Sequence, residues 1–403
     1  MDMKINKRSI ILFMSFFCLT MGESIVFVKS GINSFFEYTG YLILLVAIYY
    51  NYIRYEYNKS KIIYFLLILF LFNIGIIMQP SLDIVIKLRL ILSMFILASF
   101  AIITEGYIKT FKDIAMASYG IFVGIMVSII IAIILGGTLI DVSYEGLIGI
   151  NAFTGGLDNK NFFSGATLGV FSGVYLYNRF YKKNKLNIII MLLSILMLIA
   201  SNSRGGYILF TIFFVTANFN AIKIIKKSQR KLLLICVIIA IFSIGMYFYK
   251  EVVLNSNTYM YRINGLLNLI EYYVNDYFLI FFGAANIAFS DMDQSYVTNV
   301  RSVLGWDGTT ELVLLNILIK NGLLGLIGYI IIFIRIIKIA INTENEEYKI
   351  SILSIVIMLL ISSLVEAYMV NLHLVFGVFC YIIIAGLCGM IKNCKIININ
   401  KIK

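Results

Sequence analysis

The chain has 403 residues, 61% of them hydrophobic and 13% charged, with a mean hydropathy of +0.94. Soluble globular proteins run about 25% charged and about 45–50% apolar, so an array of soluble domains is excluded. One proline and one histidine leave no Pro-rich linker and no His-cluster metal site, and the five cysteines lie in apolar runs or the basic C-terminal tail, with no CxxC spacing and no disulfide framework.

A bilayer core of about 30 Å needs about 20 apolar residues per helix. Apolar runs occur at 10–28, 35–52, 62–79, 82–103, 114–135, 162–178, 188–202, 206–222, 232–249, 311–334, 350–369 and 372–391. The pattern predicts an all-α polytopic membrane protein of about 12 transmembrane helices. The first run follows Lys4, Lys7 and Arg8, as in a signal peptide. No small-residue cleavage site comes after it, so an uncleaved first helix is expected. Basic residues fix the orientation, because Lys and Arg crowd cytoplasmic loops. With the N-terminus inside, segments 1–9, 53–61, 104–113, 179–187, 223–231, 335–349 and 392–403 hold 24 of the 33 Lys and Arg, and the outer segments hold six. Both termini are therefore predicted to be cytoplasmic. The net charge of +12 reads as an insertion signal near anionic headgroups rather than as a nucleic-acid footprint.

This divides the chain into residues 1–249 (nine helices and an outer loop at 136–161), a large outer loop at 250–310, and residues 311–403 (three helices and a basic tail). Short amphipathic helices are expected in the large loop: Leu266, Leu269, Ile270 and Tyr273 recur at helical spacing.

Candidate chemistry concentrates on the outer side. Arg204 lies outside, against the positive-inside trend, in the tight turn Asn202-Ser203-Arg204-Gly205-Gly206. The next helix points its N-terminus outward, which favours an anion, and arginine offers a planar fork for phosphate oxygens. The alternative is a charge that caps the preceding helix. In the large loop, aromatics including Tyr273 and Trp306 are candidates for stacking on sugar rings, with headgroup anchoring the stronger reading for any single one, and acids such as Asp307 read as solvated groups. Glu311 opens the tenth helix. It is either a general base above the membrane plane or a favourable helix-terminal charge. Lys87 and Arg89 lie near the outer end of their helix and either snorkel or add to a phosphate site. Glu366 and His373 flank the last outer turn, and Lys320 is some three turns inside its helix.

Three elements together resemble the bacterial O-antigen polymerase and O-antigen ligase family of polytopic membrane glycosyltransferases. They are Ser203-Arg204-Gly205-Gly206, then Arg262 with the downstream Asp276–Gly283 stretch, then Glu311-Leu312 followed after nine residues by Gly322-Leu323-Leu324-Gly325. Asn161 is similar to an Asn that opens an earlier helix of the family pattern. Glu311 stands where ligases carry histidine, which leans toward a polymerase.

The resemblance implies a GT-C-like membrane enzyme in the bacterial plasma membrane that joins undecaprenyl-diphosphate-linked repeat units at its outer face. Transfer would invert the anomeric centre and use no metal or other cofactor. Arg204, Arg262 and Arg89 would bind diphosphate, Glu311 would act as base, and Asn161, Tyr273, Trp306, Asp307 and His373 would contact substrate. The bilayer and a lipid-linked donor and acceptor would be its partners, with a chain-length regulator and a flippase as neighbours and no nucleic acid. A ligase of the same fold and a lipid-linked oligosaccharide flippase are the alternatives; a transporter would place its site near the midplane, often at broken helices.

Overall fold

The computed structural model describes residues 6–79, 82–145, 151–219, 257–274, 276–285, 312–364 and 366–402. It is mostly helical (81%). In chain order the helices are α1 (Lys7–Gly22), α2 (Ile25–Ser30), α3 (Asn33–Tyr55), α4 (Lys59–Met78), α5 (Ile84–Ala98, continued by a π turn Ser99–Ile103) and α6 (Phe111–Ile134). An antiparallel hairpin follows, β1 (Ile140–Glu145) with β2 (Asn151–Phe153). Then come α7 (Lys160–Phe180), α8 (Lys185–Ser201), α9 (Arg204–Ala217), α10 (Asn257–Val274), α11 (Tyr277–Phe282), α12 (Val313–Ile341), α13 (Glu346–Ser362), a 3₁₀ turn at Ala367–Met369 and α14 (Val375–Ile402).

With almost no proline, the chain starts its helices with Asn, Asp, Ser and Thr side chains that accept from free backbone N–H groups. Asn58, Asp83, Asn159, Asn184, Ser203 and Asn345 cap α4, α5, α7, α8, α9 and α13. Thr110 and Asp113 form a capping box at α6.

Among the described residues four helical stretches are long and apolar enough to cross a membrane: Lys59–Met78, Ile84–Ile103, Phe111–Ile134 and Val313–Ile341. Lys185–Ser201, Arg204–Ala217 and Val375–Ile391 are apolar but shorter. The exterior is apolar too, with Ile63 68% and Leu196 62% exposed. A soluble protein does not carry such faces on helix after helix, and lipid covers them without penalty. α14 lies at the centre, with every side chain from Val375 to Ile391 buried, as expected of a helix apolar all round.

Helix pairs pack through small residues. Gly124 of α6 faces Thr20 of α1, where a Cβ would come within 2.7 Å of the Thr20 Cβ. These two helices run parallel, tied by Arg8–Asp113 at 3.7 Å near their starts and by Ser128 Oγ donating to Ser24 Oγ at 2.9 Å farther on. The Arg8 end also gathers Lys61, whose Nζ donates to the Glu105 carbonyl at 3.1 Å, and Arg335, which pairs with the Glu105 carboxylate at 2.5 Å. Phe111 stacks there on Tyr348. Thus residues 6–9 and the segments 53–61, 104–113 and 335–349 share one end of the bundle.

Several expected elements differ in detail. The run 10–28 is not one helix: α1 stops at Gly22, and α2 begins at Ile25. The interruption frees the backbone to pair with the 154–158 turn, through Ile25 N to Gly156 O and Asp158 N to Glu23 O, both 2.9 Å. Loop 136–161 contains the hairpin, so the described structure is not wholly α. The run 350–369 is helical only to Ser362 before the 3₁₀ turn. The run 232–249 lies outside the described residues.

α12 is broken at Gly322 (φ 63°, ψ −165°). A helix broken inside an apolar bundle must find other partners for its released carbonyls. Here Ala284 N donates to Ile319 O at 2.9 Å, Tyr273 Oη to Leu318 O at 3.0 Å, and Gln79 Nε2 to Phe282 O and Lys320 O at 2.7 and 3.3 Å. Only glycine fits at 322: its φ is left-handed, and a Cβ would run into the Phe281 carbonyl.

Candidate functional site

At the end of the bundle opposite Arg8 and Asp113, three interruptions of helix meet. Asn159 accepts from the backbone N–H groups of Asn161 and Phe162 at 2.8 and 2.9 Å, which starts α7 and puts Lys160 and Asn161 in its first turn. Asn202, in the left-handed region (φ 48°, ψ 31°), ends α8. Ser203 then caps α9 by accepting from Gly206 N at 3.2 Å, and Arg204 becomes the first residue of α9. The third interruption is the extended residue Glu366 between α13 and the 3₁₀ turn.

Asn161 joins them. Its Nδ2 donates to Glu366 Oε1 at 2.6 Å, its Oδ1 accepts from Ser203 Oγ at 3.0 Å, and its carbonyl accepts from Tyr368 Oη at 2.6 Å. An ionised carboxylate can only accept, so the amide edge that faces Glu366 must be the NH₂. That leaves Oδ1 for the Ser203 hydroxyl, and the orientation follows from chemistry.

Charge accumulates around this network. Arg204 is half-buried, and its Nε is buried with no hydrogen-bond partner among the described residues. Burial, followed by the nearby Arg204 charge, lowers the Lys160 ammonium to about 8, while Asp141 and Glu366 act in the opposite sense. Arg204 and Lys160 thus lie within electrostatic reach of each other, with the Asp141 and Glu366 carboxylates also acting on Lys160. An anion entering here would relieve their repulsion and supply the acceptor that Arg204 Nε lacks.

A second basic group adjoins. Phe162, next to Asn161, packs edge-on against the His373 ring, 6.0 Å between centroids. Burial, then the charges of Lys320 and Arg89, lower His373 to about 4. The imidazole is therefore neutral near pH 7, even though its ring keeps exposed surface.

The structure therefore brings together Arg204, Asn161 and His373, with Arg89 electrostatically coupled to His373. Tyr273 sits elsewhere: it is buried against α12, its hydroxyl engaged by Leu318, so it holds the broken helix instead of facing open space. Arg262 lies in α10, where the backbone alone is described. Glu311, Trp306 and Asp307 lie outside the described residues.

Lys160 and Glu366 are the participants that sequence reasoning did not place in the site. Lys160 carried the same signal as Arg204, a cation in a predicted outer segment. Glu366 stood out locally as an acid flanking the last outer turn, but its partner is 205 residues away. Among the described residues no three His, Cys, Asp or Glu side chains converge as a metal-ligand set. Neither the known protein-family models nor the curated characterised proteins match this chain.

Proposed function

We propose that this protein is a polytopic membrane glycosyltransferase of the polysaccharide-polymerase kind, joining lipid-diphosphate-linked repeat units at the outer face of the bacterial plasma membrane. In this reading it has about twelve spans with both termini in the cytoplasm. The observation that carries the proposal is the juxtaposition of Arg204 and Lys160 with the Asn161–Glu366 pair. An arginine with an unfilled hydrogen-bonding position at Nε, and a lysine near it, suit a leaving diphosphate, and a carboxylate beside them suits a hydroxyl that must lose its proton. The resemblance of Ser203-Arg204-Gly205-Gly206 and the segments around Arg262 and Glu311 to the O-antigen polymerase and ligase family points to the same chemistry.

In the proposed reaction the donor glycan is held through its diphosphate at Arg204 and Lys160, with Arg262 and Arg89 as further phosphate contacts. A hydroxyl of the acceptor attacks the anomeric carbon from the opposite side, inverting it. Arginine and lysine supply the charge that a divalent ion supplies elsewhere.

The test is reconstitution of the purified protein in liposomes with lipid-diphosphate-linked repeat units. A product ladder spaced by one repeat, lost in Arg204→Ala at equal protein level, is the expected result. An undiminished ladder in that variant would remove Arg204 from the site. A second reading, a flippase for the same lipids, is favoured by the broken helix at Gly322 with Lys320 two residues before it, because transporters use broken helices. Movement of the lipid across the bilayer without any ladder would select it.

A further inference from the structure

The reaction proposed above needs a base, and the sequence offered Glu311 for it. The described bundle end holds a different carboxylate in a built setting. Glu366 has extended backbone (φ −147°, ψ 152°) between α13 and the 3₁₀ turn, and its own N–H donates to Ser362 O at 2.8 Å. One carboxylate oxygen is fixed by the Asn161 amide at 2.6 Å, and that amide is itself held by Ser203, the residue before Arg204. Tyr368, two residues on, ties the same turn back to the Asn161 carbonyl. The side chain is half-buried rather than sealed, so a substrate hydroxyl can reach it.

Resting on the polymerase reading, we infer that Glu366 is the general base of the transfer, with Asn161 as the residue that positions it. In the step, a Glu366 carboxylate oxygen takes the proton of the acceptor hydroxyl while that oxygen forms a bond to the anomeric carbon. The bond from this carbon to the phosphate oxygen breaks, and its electron pair leaves on the lipid diphosphate. Arg204, which follows Ser203, and Lys160, which precedes Asn161, adjoin the network and would receive that charge. The proton on Glu366 then passes to water, which restores the carboxylate.

The arrangement also explains why Asn161 is an amide. Aspartate there would set two carboxylates against each other, and a protonated Glu366 would then persist and could accept no proton. An apolar residue would leave the carboxylate unoriented and the Ser203 hydroxyl without its acceptor.

The experiment compares wild type, Glu366→Gln, Glu366→Asp, Glu311→Gln and Arg204→Ala in the reconstituted transfer assay, alongside binding of farnesyl diphosphate as a probe of the diphosphate site. Gln is isosteric and can still accept from Asn161, so this variant is expected to fold and to bind the probe within about threefold of wild type. Its turnover should fall about 10²–10⁴-fold, the usual contribution of a general base. Glu366→Asp keeps the charge but withdraws it by one methylene, and should lose about 10²-fold in kcat with little change in KM; it decides the matter should the Gln variant fail to accumulate.

Turnover of either Glu366 variant within tenfold of wild type, with Arg204→Ala inactive, overturns the assignment of Glu366 and leaves the polymerase reading standing. A Glu311→Gln loss as large as that of wild type to Glu366→Gln, with Glu366→Asp fully active, hands the role to Glu311. Full activity of Arg204→Ala, or no transfer by the wild type on its repeat unit, sinks the underlying reading instead.

Discussion

The Asn161–Glu366 contact joins the first turn of α7 to the turn after α13, and a double-mutant cycle isolates it. Hydrogen bonds to charged groups contribute about 1.5–3 kcal/mol in soluble proteins, whereas interhelical bonds within membranes average about 0.6 and reach about 1.7 kcal/mol. The 2.6 Å contact is short and charge-assisted, but both residues are only half-buried, so water competes for each. We therefore expect a coupling energy of about 1–1.5 kcal/mol, roughly a tenfold change in the unfolding equilibrium. Asn161→Ala alone should cost more, about 2 kcal/mol, since it also removes the acceptor for Ser203 Oγ. That second loss occurs with or without Glu366 and cancels in the cycle. Reversible unfolding in mixed micelles by added SDS, followed by far-UV circular dichroism on wild type, Asn161→Ala, Glu366→Ala and the double variant, measures it. A coupling below about 0.3 kcal/mol would mean that the amide neither holds nor orients the carboxylate, and the positioning role of Asn161 would fall with it.

Two further predictions concern charge. Lys160, lowered to about 8, is cationic below that pH and neutral above it, so farnesyl diphosphate affinity should decline as pH rises through about 8–9, the bound anion itself shifting the midpoint upward; Lys160→Arg should abolish the decline, and a wild-type affinity that is flat to pH 9.5 would exclude Lys160 from the site. At the other end of the bundle, Arg335→Met removes the arginine that pairs with the Glu105 carboxylate, whose side chain is 5% exposed. Removing one partner of a buried pair costs roughly 3–5 kcal/mol, and with Arg335 itself 24% exposed the lower end, about 3 kcal/mol, is expected in the same SDS titration. Adding Glu105→Gln should restore most of it, and a single-variant cost under 1 kcal/mol would contradict the pairing.

What the sequence made legible follows from the range of the signals involved. Hydropathy windows report averages over a span, so they located α4, α5, α6 and the start of α12 within a few residues, ended α12 seven residues early, and could not register the single left-handed glycine that breaks it. The end of α1 did have a visible sign, Glu23 within an apolar run, but whether a carboxylate ends a helix or merely sits in one depends on what pairs with it. Here the Val375 N–H donates to Glu23 Oε1 at 2.5 Å and the Asp158 N–H to the Glu23 backbone carbonyl at 2.9 Å, and no local window contains either donor. Arg204 was legible because a cation in an outer segment violates a rule about loops. The rule applied equally to Lys160 and would have found it. Asn161 drew notice only through a motif and Glu366 only as an acid beside the last outer turn, because the contact that joins them links opposite parts of the chain. Tyr273 illustrates the converse error of scale: an aromatic at helical spacing in an outer loop fits a sugar platform and a packing residue equally well, and only its partner, the Leu318 carbonyl, decides for packing.

The two ends of the bundle solve their electrostatics differently, and the difference bears on function. Around Arg8, Lys61 and Arg335, each cation meets an anionic or carbonyl oxygen of the protein: Asp113, the backbone at Ile103 and Glu105, and the Glu105 carboxylate. These are closed pairs, and such pairs in a low-dielectric setting hold helices in register without inviting a ligand. At the opposite end Arg204 bears on Lys160, with Asp141 and Glu366 acting in the opposite sense, and Lys320 and Arg89 bear on His373. Within that cluster Arg204 Nε is buried with no hydrogen-bond partner among the described residues. Burying a donor without an acceptor costs about 1–3 kcal/mol, a cost that an anion reaching this end of the bundle would offset. In the reading proposed above, that anion is the lipid diphosphate.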